Sequence, residues 1–198
     1  MRKLITSGVL ALAAAALSAQ GVDINGGLHT GLSLPMGDLH DKTDLGTNQF
    51  FGAHIGGHID FNITPHHQVR GHLTYNRFPG SGWGGPDDWK NDYSNFQVGA
   101  DWVYNFEAPD RGWYTIAGAS VNSFKDDYEH NTGVGRLSGT ASQSGKLGVR
   151  GGGGYTFTKN FSLEGTLNQV FVDKWGGDGF GYDTATWVAV SAVFRFGR

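Results

Sequence analysis

Apolar and polar residues alternate along most of this chain with a period of two. In GVDINGGLHTGLSLP, residues 21–35, Val22, Ile24, Leu28, Leu32 and Leu34 share one parity, while Asp23, Asn25, His29 and Ser33 share the other. Successive side chains of a β-strand point to opposite faces, so this rhythm predicts a strand with one apolar and one polar face. The rhythm recurs. Phe51, Ala53, Ile55, Ile59, Phe61 and Ile63 alternate with His54, His58, Asp60 and Asn62. Val69, Leu73 and Tyr75 alternate with Gln68, Arg70, His72, Thr74 and Asn76. Phe96, Val98, Ala100, Trp102, Tyr104 and Phe106 alternate with Gln97, Asp101 and Asn105.

Four more strands follow. GWYTIAGASVNSF leaves its greasy parity open: Trp113, Thr115, Ala117 and Val121 form one face, and the opposite parity is equally readable. Leu147, Val149, Tyr155 and Phe157 oppose Lys146 and Arg150; Leu163 and Leu167 oppose Glu164 and Asn168. The pattern slips near Gln169, which predicts a bulge there. Val188, Val190, Ala192, Phe194 and Phe196 oppose Trp187, Ser191 and Arg195. No window carries a sustained helical period. The connections alternate between long ones, at 35–49, 79–92, 125–142 and 173–184, and short ones, at 64–67, 107–112 and 158–160. Eight strands joined in this way predict an all-β fold: an eight-stranded antiparallel up-and-down β-barrel, long loops at one end and tight turns at the other.

Periodicity alone does not say which face meets which solvent. A soluble barrel turns its apolar residues inward; a transmembrane barrel turns them toward lipid and fills its lumen with polar side chains. Residues 1–19 carry Arg2 and Lys3, an apolar run from Val9 to Leu17 and then small residues, which is the layout of a signal peptide. Residues 20–198 then form the barrel. With Arg2 and Lys3 removed, 13 basic residues stand against 18 acidic ones, so no basic stripe for nucleic acid is expected. The chain has no cysteine, hence no disulfide. Aromatic residues gather at strand ends, among them Phe50, Phe51, Tyr75, Phe78, Phe106, Trp113, Tyr155, Phe157, Phe161, Phe194 and Phe196, as in an interfacial girdle.

The last strand, VAVSAVFRFGR, alternates and ends near an aromatic residue, with Gly197 and Arg198 beyond it. With the eight alternating strands and the leader, it resembles the outer-membrane β-barrel domain family of the outer membrane protein A type. The resemblance implies a transmembrane barrel in the cell outer membrane, in contact with lipid and lipopolysaccharide. It also implies handling by the outer-membrane assembly machinery. A monomer with no cofactor is expected.

An eight-stranded barrel leaves room inside for side chains only, and buried charges there must pair. The turn around Pro65 sets Asp60 opposite Arg70 and His58 opposite His72; His29 falls near His54. Arg150 and Lys146 are candidates to meet Glu164 or Asp101. The predicted lumen network is therefore Asp60, Arg70, Asp101, Lys146, Arg150, Glu164, His54, His58 and His72. Its first reading is structural. A sharper one makes His29, His54, His58 and His72 a metal or pH-responsive site, with Asp60 as the added carboxylate for a metal. The glycines at 151–154 leave room for neighbouring rings or for curvature, since the surroundings of a phosphate-binding loop are missing. The four long loops are acidic, and Trp83, Trp89, Trp175, Phe180 and Tyr182 are candidate loop contacts for a partner.

Three functions suit such a barrel: an envelope or surface-interaction role with a filled lumen, a narrow channel similar to outer membrane protein W, and a lipid A-modifying enzyme. His29 and Ser33 lie about 13 Å apart along one strand, too far for a catalytic pair, so no enzyme is expected.

Overall fold

A computed structural model of the chain describes residues 23–40, 51–80, 89–107, 109–132, 134–172 and 183–196. The leader expected at 1–19 lies outside them, as do Phe50, Trp83, Trp175, Phe180 and Tyr182. Eight strands close into one ring in chain order: β1 (Asp23–Met36), β2 (Gly52–Asn62), β3 (His67–Phe78), β4 (Trp89–Asn105), β5 (Gly112–Asn131), β6 (Arg136–Thr158), β7 (Phe161–Phe171) and β8 (Thr184–Phe196). All neighbours are antiparallel, and β8 returns to pair with β1. A single 3-10 turn, Gly37–Leu39, follows β1. No helix of the described residues is long and apolar enough to cross a membrane. Closure matters because every edge hydrogen bond finds a partner, as backbone in hydrocarbon requires.

The register gives the tilt. A walk across paired residues runs from Ile24 through Phe61, Val69, Trp102, Ala117, Gly151, Leu167 and Val188, and comes back to β1 at Leu34. The ring therefore closes with a stagger of ten residues, from 24 to 34. A stagger of that size on eight strands tilts them by about 40°. Every residue on this walk lies on the outer wall, and the inner positions follow an equivalent rising path.

The orientation matches the alternation. Leu28, Leu32, Ile55, Leu73, Trp102, Val121, Leu147, Leu167 and Val190 are all exposed on the outside. Asp60, Arg70, Asp101, Glu164 and Arg195 are buried inside. An apolar outer band of this extent marks contact with lipid rather than water. At the end of the short turns, rings touch in series around the wall: Trp113 with Tyr155, Tyr155 with Phe157, Phe157 with Phe161 and Phe161 with Phe194, at centroid separations of 5.1, 4.9, 5.8 and 5.3 Å.

Four sequence expectations need correction. β7 pairs with β8 without interruption from Phe161 to Phe171, so no bulge occurs at Gln169. The apparent slip has another cause: Val170 is inward and fully buried, because the lumen turns apolar at that height. The irregularities fall on β6 instead, one of them where Ser144 and Gly145 together oppose Ser123; Gly145 has φ +74°, a region open to glycine without strain. Residues 125–142 are not a long loop. β5 and β6 run on as a hairpin, joined only at 132–135. Trp89 belongs to β4 rather than to a loop. Phe78 is no girdle residue: it is fully buried, edge-on to Trp187 inside the barrel. The open parity of β5 resolves with Trp113, Thr115, Ala117 and Val121 outward, which sends Tyr114 and Ile116 inward.

Candidate functional site: the barrel lumen

The inward parity of all eight strands delivers side chains to one interior, and these are sorted by height. Toward the short turns lies an ionic layer. Asp60 and Arg70 are directly opposed across the β2–β3 hairpin, and Arg70 Nε donates to Asp60 Oδ1 at 2.7 Å. The guanidinium also reaches across the lumen, where Nη1 donates to Glu164 Oε2 at 2.7 Å. Arg150 bridges Glu164 and the remaining carboxylate, Asp101: Nη2 lies 3.0 Å from Glu164 Oε1, and Nε lies 3.1 Å from Asp101 Oδ1. Arg195 completes the layer, with Nε 3.2 Å from Asp60 Oδ2 and Nη1 donating to Ser162 Oγ at 2.6 Å. Tyr114 donates to Glu164 Oε2 at 3.3 Å, and its ring lies 5.8 Å beneath the Arg195 guanidinium carbon. Three arginines thus face three carboxylates, and the layer is electrically neutral. Removing any one member leaves a buried charge without its partner, which costs about 3–5 kcal/mol.

Histidines occupy the next layer. His54 is held at both ring nitrogens, Nδ1 by Ser33 Oγ at 3.0 Å and Nε2 by Ser191 Oγ at 2.9 Å. His29 Nε2 pairs with Thr74 Oγ1 at 2.9 Å. The His29 ring lies 6.1 Å from that of His54 and 5.8 Å from that of His58. His58 and His72 come within 3.9 Å of Asp60 and 3.6 Å of Asp101. Neither of these two histidines has a hydrogen-bond partner for either ring nitrogen among the described residues. No group of three or more metal-ligating side chains converges among the described residues, so the metal reading finds no support there.

Glycine makes this crowding possible. The His29 ring occupies the space where a side chain at Gly56 would start, the His58 ring does so at Gly27, His72 at Gly99, and Tyr114 at Gly154. Any larger residue at these sites meets a ring or the adjacent backbone. Gly154 thus fills the ring-accommodating role read from the run at 151–154.

Neutral amides and hydroxyls continue upward: Asn76 donates to Asn95 and Asn95 to Asn122, each at 3.2 Å, while Gln97 donates to Ser120 at 3.0 Å. Beyond them the lumen turns apolar. Leu39, Phe78, Tyr93, Phe124, Val170 and Trp187 are buried together, and Leu39 is carried in by the turn after β1. A cavity of about 20 Å³ remains between the layers, lined by His29, His54, His72, Arg70, Arg150 and Glu164 among others. That is room for about one water molecule.

The structure places Asp60, Arg70, Asp101, Arg150, Glu164, His54, His58 and His72 in one interior, with His29 beside them. Lys146 stands apart from the ionic layer. It is half-buried opposite Asn122, four positions along β6 from Arg150. Sequence reading did not place Arg195 with Asp60, because that contact depends on β8 meeting β1. It missed Tyr114 because the parity of β5 was open. Of the loop candidates, Trp89 lies in β4 opposite His130, and the other four lie outside the described residues. Above the membrane-facing band, on the hairpin extension, Asp126 is buried and faces inward. Burial, and then the nearby Asp127 and Asp92 carboxylates, push its carboxyl up to about 7.

No protein-family model matches the chain, and no curated protein matches it. Similar solved structures are outer-membrane β-barrel proteins. Ail, the attachment invasion locus protein of Yersinia pestis, aligns at 13% identity over 88% of this chain and 97% of its own, with a TM-score of 0.50. The N-terminal β-barrel domain of Pseudomonas aeruginosa OprF aligns at 14% identity over 88% and 99%, with a TM-score of 0.47. Neisserial surface protein A aligns at 15% identity over 87% and 95%, with a TM-score of 0.47. At such identities the likeness is one of fold: an eight-stranded antiparallel outer-membrane barrel.

Proposed function

We propose that this chain is a monomeric, non-catalytic barrel of the outer membrane, exported with residues 1–19 as its leader. Its lumen is closed by its own side chains, and its role is in envelope integrity or surface interaction. The observation that carries this reading is the combination inside one ring of a neutral three-arginine, three-carboxylate layer and an apolar cap. The cavity between them, about 20 Å³, has room for about one water molecule, which supports a closed lumen. The outer wall contacts lipid and lipopolysaccharide, and delivery is by the outer-membrane assembly machinery.

The test begins with the outer-membrane fraction, where the folded protein should migrate faster than its boiled form. The refolded protein should then show no sustained conductance in planar bilayers at neutral pH. Stable channels lasting seconds would replace this reading with the narrow-channel one. Deleting the gene should change envelope permeability or adhesion, and expression should leave the mass of lipid A unchanged.

A further inference from the structure

Four lumen histidines, three of them buried and His29 half-buried, take no part in the charge balance just described, and that is where the lumen is open to change. The groups facing the histidine layer come from every strand: His29 on β1; His54, His58 and Asp60 on β2; Arg70 and His72 on β3; Asp101 on β4; Tyr114 on β5; Arg150 on β6; Glu164 on β7; Arg195 on β8. Farther up, Lys146 and Asp126 face inward toward the loop end. Each of the three carboxylates is already engaged by arginine. A proton added to an imidazole therefore meets carboxylates that already face arginine, Asp60 at 3.9 Å from His58 and Asp101 at 3.6 Å from His72.

Geometry makes the added charge disruptive. The rings of His54, His29 and His58 stand in series at 6.1 and 5.8 Å, and the cavity beside His29 and His54 has room for about one water molecule. Like charges at that spacing repel strongly when solvent does not screen them. Neutral His54 has one nitrogen that donates and one that accepts, and it joins the Ser33 and Ser191 hydroxyls across the β1–β8 seam. A doubly protonated ring donates at both nitrogens, so the donor order of that bridge must change. The cavity lined by His29 and His54 supplies adjacent space into which these two rings can move.

We propose that the histidine layer is an acid-triggered latch: protonation of His29, His54 and His58 drives the rings apart, links the internal cavity to the bulk and lets small ions pass. The proposal rests on the lumen being closed at neutral pH, as argued above.

The test uses the refolded full chain in planar bilayers at about pH 7.5 and about pH 3, a span wide enough to cover titration of a buried imidazole. The expected result is silence at the higher pH and an opening probability raised by about tenfold or more at the lower one. The variant His29→Gln/His58→Gln should keep heat-modifiable migration and lose the acid response. Silence of the native protein at both pH values overturns the latch while leaving the closed-lumen reading intact. Equal conductance at both overturns the two together. An acid response that survives the double variant, or that disappears in Asp126→Asn, moves the trigger elsewhere and overturns the latch. Should the double variant fail to fold, imidazole nitrogen NMR of the native protein decides: lumen histidines still neutral at the pH where conductance rises overturn it.

Discussion

The two ends of the lumen are filled by different kinds of side chain. Toward the short turns, Asp60, Arg70, Glu164, Arg150, Asp101 and Arg195 hold one another through directed contacts of 2.7–3.2 Å that link six of the eight strands. Toward the long connections, Phe78, Trp187, Phe124 and Leu39 fill the same cylinder by shape alone, with ring centroids 5.9 and 6.3 Å from Trp187. The ionic end specifies position, because a guanidinium accepts only certain angles and an unpaired charge is costly. The apolar end excludes water and is tolerant of exchange, because dispersion has no direction. A barrel that needs both a unique register and a dry mouth can divide the two tasks between its ends.

The sharpest way to break this comparison is at Glu164. Glu164→Gln removes the charge shared by Arg70 and Arg150 and should cost about 3–5 kcal/mol in urea unfolding of the refolded protein, followed by gel shift. A loss below about 1 kcal/mol would show that the layer is solvated and not specifying. Trp187→Ala empties the centre of the apolar end and should cost about 3–4 kcal/mol. Conductance should nevertheless stay low at neutral pH, because the ionic layer remains; a conducting Trp187→Ala barrel would mean that the apolar end alone makes the seal.

Gly99→Ala sharpens the comparison at intermediate size. Its new methyl meets the His72 ring at 2.6 Å and the Ala119 carbonyl at 2.6 Å, for a loss of about 1–3 kcal/mol. Gly71→Ala on the outer wall, where nothing lies within 4 Å, should change stability little.

An effect smaller than that at Gly99, and dependent on pH, belongs to Asp126. In the folded protein its carboxyl keeps a proton up to about pH 7, whereas the unfolded carboxyl releases it near the ordinary carboxylate value. The folded state binds more protons between those two values, so this residue's contribution to stability falls as pH rises through the window and is gone above it. Asp126→Asn should flatten that slope and gain about 1 kcal/mol at pH near 8, with little change at pH near 4. An unchanged slope would show that Asp126 is solvated.

Most of the wall was legible in the sequence, because lipid outside and a polar lumen inside print opposite chemistries on alternate residues. Asp60 against Arg70 and His58 against His72 followed from the turn at Pro65 alone. Legibility ended where that two-solvent code breaks down. Near the loop end the lumen becomes apolar, so Phe78 read as a girdle residue and Val170 as a slip. Above the lipid the outer wall becomes polar, so the β5–β6 hairpin, with Lys125 and Asp127 outside and Asp126 inside, read as loop. The Asp60–Arg195 contact was hidden for a different reason: it joins residues 135 positions apart and depends on how the ring meets itself.

That contact has a consequence for assembly. Asp60 acquires its second guanidinium only when the last strand zips onto the first, whereas Ser162 meets the Arg195 head group across the β7–β8 pair. A sheet of seven strands, still gaping, holds three carboxylates against two cations. Sealing the seam and cancelling the surplus negative charge are one event, which disfavours any half-rolled intermediate from lingering in the bilayer.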